Sequence, residues 1–135
     1  VPGIKFDASN NNITVDGGVV TSAIFVKISQ PSHGFIDGQP VFYNGSEWAL
    51  AKADAAETLG THIVKAVDVD NFKAVQSGVL IGMSGLTPGG YYFVSESTLG
   101  LLTSTEPSTG FSNPVGQALS ANSLMVMPWR ATEVS

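Results

Sequence analysis

Ser32-His33-Gly34-Phe35-Ile36-Asp37-Gly38-Gln39-Pro40-Val41-Phe42-Tyr43-Asn44 reads again, about fifty residues later, as Met83-Ser84-Gly85-Leu86-Thr87-Pro88-Gly89-Gly90-Tyr91-Tyr92-Phe93-Val94-Ser95. Each copy has a small-residue approach, a glycine followed by an apolar residue (Gly34-Phe35, Gly85-Leu86), a turn ending in Gly38 or Gly89, and an aromatic strand. The match continues past these stretches. Asn44-Gly45-Ser46-Glu47-Trp48-Ala49-Leu50 answers to Ser95-Glu96-Ser97-Thr98-Leu99-Gly100-Leu101, which pairs Trp48 with Leu99. A loop comes next, then a glycine-led strand, Gly60 to Val67 against Gly116 to Leu119. A polar turn and closing strand end each half: Asp70-Asn71-Phe72-Lys73-Ala74-Val75 against Ala121-Asn122-Ser123-Leu124-Met125-Val126. The chain therefore reads as a duplicated four-stranded unit, over about residues 32–76 and 83–127, with loop lengths as the difference.

Working outward, 135 residues suit one domain with a real core. Only 13% of the residues are charged, about half the usual quarter, so the surface must be rich in Ser, Thr, Asn and Gly. Net charge is −5, and the six basic residues are scattered singly along the sequence. Nucleic acid binding needs concentrated positive charge, so that class is not expected. The absence of cysteine excludes disulfides, thiolate nucleophiles and Cys-ligated zinc. Apolar runs fall far short of the roughly 20 residues of a membrane helix, so membrane insertion is not expected. The start at Val1 rather than Met suggests a piece of a longer protein.

Ile4-Lys5-Phe6 and Ile13-Thr14-Val15 flank the polar turn Asp7-Ala8-Ser9-Asn10-Asn11-Asn12, and Asp16-Gly17-Gly18 closes the second run. Residues 1–22 read as an extended or hairpin segment, a linker to a shaft or anchor, and 23–135 as the β domain. Thr21 to Ile28, which leads into it, is β-rich, with Ala23, Phe25 and Lys27 on one face and Ile24, Val26 and Ile28 on the other. Asn44-Gly45-Ser46-Glu47 is a hairpin turn. Ala53 to Thr58 is the one helix-compatible stretch, short enough for a single turn. Ser77-Gly78 separates Phe72–Val75 from a buried strand at Val79-Leu80-Ile81, Glu106 to Asn113 reads as a loop, and Pro128 opens a tail. The expected fold is all-β: a small barrel or sandwich of two duplicated four-stranded units after an N-terminal extended or hairpin segment.

Candidate chemistry is sparse. His33 and His62 lie in no metal spacing; His33 aligns with Ser84 as a turn residue, and His62 reads as a half-exposed strand histidine. Asp68-Val69-Asp70-Asn71 resembles the start of a calcium loop but lacks its glycine and distal glutamate, and reads as a hairpin turn. Glu47, Asp54, Glu57, Glu96 and Glu106 fall in turns or loops, not as the paired buried acids of glycoside hydrolysis. No Gly-x-Ser-x-Gly or phosphate-loop spacing occurs. No catalytic, cofactor or metal residues are assigned, and the expected protein is not an enzyme. Adjacent strand residues point to opposite faces, so one of Phe42/Tyr43 and one or two of Tyr91/Tyr92/Phe93 face outward. Tyr43, Tyr91 and Trp129 are the candidates for an interface or glycan contact, whereas Trp48 is assigned to the core.

The series His33-Gly34-Phe35, Gly38-Gln39-Pro40-Val41-Phe42-Tyr43-Asn44-Gly45, Trp48, Ala51-Lys52-Ala53-Asp54, Gly85-Leu86-Thr87-Pro88-Gly89, Tyr91-Tyr92-Phe93-Val94-Ser95 and Pro114-Val115-Gly116-Gln117-Ala118-Leu119-Ser120 resembles a β module of tailed-bacteriophage virion proteins. That module recurs near the C-terminal ends of tail fibres, head fibres and related attachment or decoration proteins. The likeness covers about residues 30–130 and consists of structural turns and strands, so it transfers no site residue. It implies a homotrimer within a virion, in contact with other virion proteins. The function implied is the distal domain of a fibre or spike contributing to host-surface attachment, through hairpin loops and exposed aromatics on a cell-surface glycan. A capsid decoration or head-fibre protein that stabilises the shell is the alternative, and a carbohydrate-binding or carbohydrate-active domain is a further one.

Overall fold

A computed structural model describes the backbone of residues 4–7, 12–15 and 20–134, and side chains from Ala23 onward. β1 (Ile4–Asp7) and β2 (Asn12–Val15) pair antiparallel, as the flanking runs predict. The Asn-rich turn between them and Asp16-Gly17-Gly18 lie outside the described residues. The rest is strand and turn: β3 (Val20–Ser29), β4 (Pro40–Tyr43), β5 (Trp48–Leu50), β6 (His62–Asp68), β7 (Asn71–Ile81), β8 (Tyr91–Val94), β9 (Leu102–Thr103), β10 (Gly110–Ser112), β11 (Pro114–Ser120), β12 (Ser123–Val126) and β13 (Thr132–Val134). The only helical residues described are one 3-10 turn at Ala56–Thr58, where the sequence allows a single turn. The fold is all-β, with a main sheet curled into a half-barrel.

That sheet runs β5-β4-β6-β7-β12-β11-β8-β9, with β3 added along β7. The order is a palindrome of two equivalent units: hairpin, inner strand, closing strand, then closing strand, inner strand, hairpin. The register repeats as well. Asp68 opposite Asn71 becomes Ser120 opposite Ser123, a step of 52 residues in both strands. A β-bulge precedes each turn, at Ala66/Asp68 and at Ala118/Ser120. The incoming segment bonds each turn in the same way: Gln30 and His33 donate to Asp70 and Val69, Met83 and Leu86 to Asn122 and Ala121.

The unit is larger than the four strands read from the sequence. Ser29 of β3 lies opposite Asn71, and Ile81 of β7 lies opposite Ser123, again 52 residues on. β7 therefore serves twice, as closing strand of the first unit along 71–75 and as approach strand of the second along 78–81. Gly78, at φ 109°, takes the backbone through a conformation that other residues resist. The strand continues past Ser77-Gly78 where the sequence suggests a break.

Two further sequence readings are corrected. The second hairpin has a longer turn, so Trp48, opposite Tyr43, corresponds to Leu102, opposite Val94, and not to Leu99, which is exposed. The loop from Glu106 contains β10, and the tail after Pro128 returns as β13 to pair with it. Short segments without hydrophobic alternation left both strands unsignalled.

Neighbouring residues of β6 and β7 feed two cores on opposite faces. Ile63 and Val75 join the larger core with Leu80, Tyr92, Val94, Val115, Leu124 and Val126, while Val64, Phe72 and Ala74 join a smaller one with Phe35 and Val41. Phe25 packs on the larger core and Ile28 on the smaller, leaving Ile24 and Val26 exposed. The units are tied at their joint by Ala53, whose N–H donates to Ser95 O and whose carbonyl accepts from Phe111 N–H. Buried Asn113 adds a clamp, its Oδ1 accepting from Gly60 N–H at 2.7 Å.

Candidate functional site

Strand alternation sorts the aromatics. Phe42 packs against the larger core and Tyr43 is 54% exposed. In β8, Tyr92 turns inward and its hydroxyl accepts from Thr87 N–H at 2.9 Å, while Tyr91 is 51% exposed. Trp129, exposed after β12, places its ring 5.9 Å from Tyr91 at 60°. Its backbone N–H donates to Pro114 O, which holds the residue against β11. Gln117 lies opposite Tyr91 in β11, and its Nε2 donates to Gly89 O at 3.1 Å. Tyr91, Trp129 and Gln117 thus form one outward surface of two rings and an amide. Tyr43 belongs to another pair, 5.7 Å from Trp48, which itself packs on the smaller core. Of the three candidate contact residues, two are brought together and the third stands in a separate pair.

Both histidines have structural partners. His33 Nδ1 accepts from Phe35 N–H at 2.9 Å, so Nε2 carries the proton and faces Asp68 O at 2.7 Å and Asn71 O at 3.1 Å. Its ring also meets Phe35 and Phe72 within 5.4 Å. The alignment with Ser84 understates this role, since the ring closes the end of the β6–β7 hairpin. His62 is half-buried in its strand, as expected, edge-on to Trp48 at 5.0 Å and bonded at Nδ1 to Thr61 Oγ1 at 2.8 Å. Burial lowers its pKa from the ordinary imidazole value.

Asp68 to Asn71 form the hairpin turn. Asp68 Oδ1 accepts from Asp70 N–H and Asn71 Nδ2, each at 2.9 Å, and Asp70 Oδ1 accepts from Ser32 N–H. The bond from Asp70, then that from Asn71, holds the Asp68 carboxyl below its usual range. No group of three metal-ligating side chains occurs among the described residues. Glu96 and Glu106 border one open polar cleft of about 230 Å³, with Ser97, Thr98, Thr103 and Thr105. Glu106 is engaged there by Ser112 Oγ at 2.7 Å.

Three of the six basic residues come together in space. Register aligns Lys27, Lys73 and Lys65 across β3, β7 and β6. Their separation in sequence, 27, 65 and 73, conceals a juxtaposition that only strand pairing creates.

Comparison with protein-family models, with curated proteins and with solved structures finds no match. Among the described residues, no helix is long and apolar enough to cross a membrane.

Proposed function

We propose that this chain is a non-enzymatic bacteriophage virion protein, the distal β domain of a fibre or spike, which contributes to host attachment by holding a cell-surface glycan. The sequence pattern that resembles phage fibre modules suggests the setting. The exposed pair of Tyr91 and Trp129 beside Gln117 supports the contact: it offers flat apolar faces for a sugar ring and an amide for its hydroxyls. Trp129 is bonded to Pro114 O and Tyr91 lies in the paired strand β8, so little ordering is lost on binding.

A glycan array probed with the full chain and its variants tests this. Tyr91→Ala and Trp129→Ala are each expected to weaken the strongest glycan signal at least about tenfold, the equivalent of about 1.4 kcal/mol. Both side chains are exposed, so thermal stability should stay close to wild type. A glycan signal untouched by both substitutions would sink the assignment to this surface.

A further inference from the structure

Three of the six basic residues stand in one row. Lys27 lies opposite Lys73, and Lys73 lies opposite Lys65. Directly opposed residues project from the same face with Cβ atoms about 4.5–5.5 Å apart, and like charges so placed repel. Among the described residues, only Lys65 of the three has a carboxylate partner: its buried Nζ is 2.5 Å from Asp37 Oδ2. The other oxygen of Asp37 accepts from Ala66 N–H at 2.8 Å. Lys73 is half-buried, with Nζ 4.9 Å over the Phe25 ring. Desolvation first, then Lys27 and Lys65, lower the Lys73 pKa from the ordinary lysine value.

The second unit shows what the fold itself requires at this place. The 52-residue step carries Lys27, Lys73 and Lys65 onto Val79, Met125 and Gln117, which occupy the same row, Val79 opposite Met125 and Met125 opposite Gln117. The same backbone accepts a neutral row. Asp37 balances Lys65, but Lys27 and Lys73 stay opposed with no carboxylate partner among the described residues. Like charge kept where the scaffold does not need it is the pattern of a site, where local rules are broken for function. We propose that the Lys27–Lys73–Lys65 row binds an oxyanion, a sulfate, phosphate or carboxylate group carried by a ligand. Ammonium groups form charge-assisted hydrogen bonds to such oxygens, and the Phe25 face seats the Lys73 head. This site is distinct from the Tyr91–Trp129 surface and does not depend on the attachment reading.

The test titrates wild type, Lys27→Val, Lys73→Met and Trp129→Ala with inorganic sulfate, inorganic phosphate and glucuronate, each balanced by chloride at constant ionic strength. Backbone amide shifts are followed by NMR. Saturable shifts centred on Phe25, Lys65 and Lys73 are expected in wild type and in Trp129→Ala, with at least about tenfold weaker binding in both lysine variants. The ion bound most tightly identifies the oxyanion. The variants use the residues of the second unit, so they should fold, with urea midpoints at or above wild type once the repulsion is removed. No saturable binding of any of the three ions overturns the proposal, as does equal binding by the lysine variants. A fall in both urea midpoints would make the row structural and overturn it equally.

Discussion

At the scale of single residues, His33 ties the end of the β6–β7 hairpin together. One ring satisfies the Phe35 amide and two carbonyls across the turn, and packs edgewise on Phe72. Hydrogen bonds of this kind contribute about 0.5–1.5 kcal/mol each, and an orphaned partner costs more. His33→Ser, which copies the aligned residue of the second unit, should destabilise the protein by about 1–3 kcal/mol, read from urea unfolding. A change below about 0.5 kcal/mol would mean that the ring is only a surface ornament to the turn. In the second unit the residue making the bond equivalent to that of His33 N–H is Leu86, whose side chain enters the larger core.

Elements were legible to the extent that they alternate or turn sharply. The β4–β5 and β6–β7 hairpins follow from Asn44-Gly45 and Asp70-Asn71, whereas period two does not describe burial along β6, where Ile63 and Val64 are both buried and Val67, at the β-bulge, is exposed. The β10–β13 ribbon was not legible, since Gly110-Phe111-Ser112 and Thr132-Glu133-Val134 are too short to show a period and are joined only by tertiary pairing. The candidate surface was half legible: alternation marks Tyr91 as outward, but its meeting with Trp129 depends on the chain after β12. The lysine row was invisible for the same reason. Gly110 holds the hidden ribbon in place. It has φ 70°, and a Cβ there would lie 2.5 Å from Ala53 O, the acceptor of the Phe111 N–H. Gly110→Ala should cost more than about 1 kcal/mol. It should also speed amide exchange at Phe111 and Glu133 relative to β6 and β7, whereas unchanged exchange there would contradict this reading of the ribbon.

For the whole molecule, duplication constrains what the surface is for. Val67 and Leu119 are one position of the two units, and both are exposed, at 57% and 49%. Ile24 and Val26 add apolar surface on β3. Apolar positions held outward in both copies join no core among the described residues, and under the proposed function they would be covered by further copies. A stable interface covers about 800 Å² per partner, within which such side chains would be withdrawn from water at about 25 cal/mol per Å². Under the proposed function, attachment by exposed aromatics would gain from such an assembly, since several weak contacts act together. The mass of the purified chain in solution, by light scattering, tests this most directly. The fibre reading predicts about three times the 14.0 kDa of one chain. A sharp monomer at 14.0 kDa across the concentration range would contradict it.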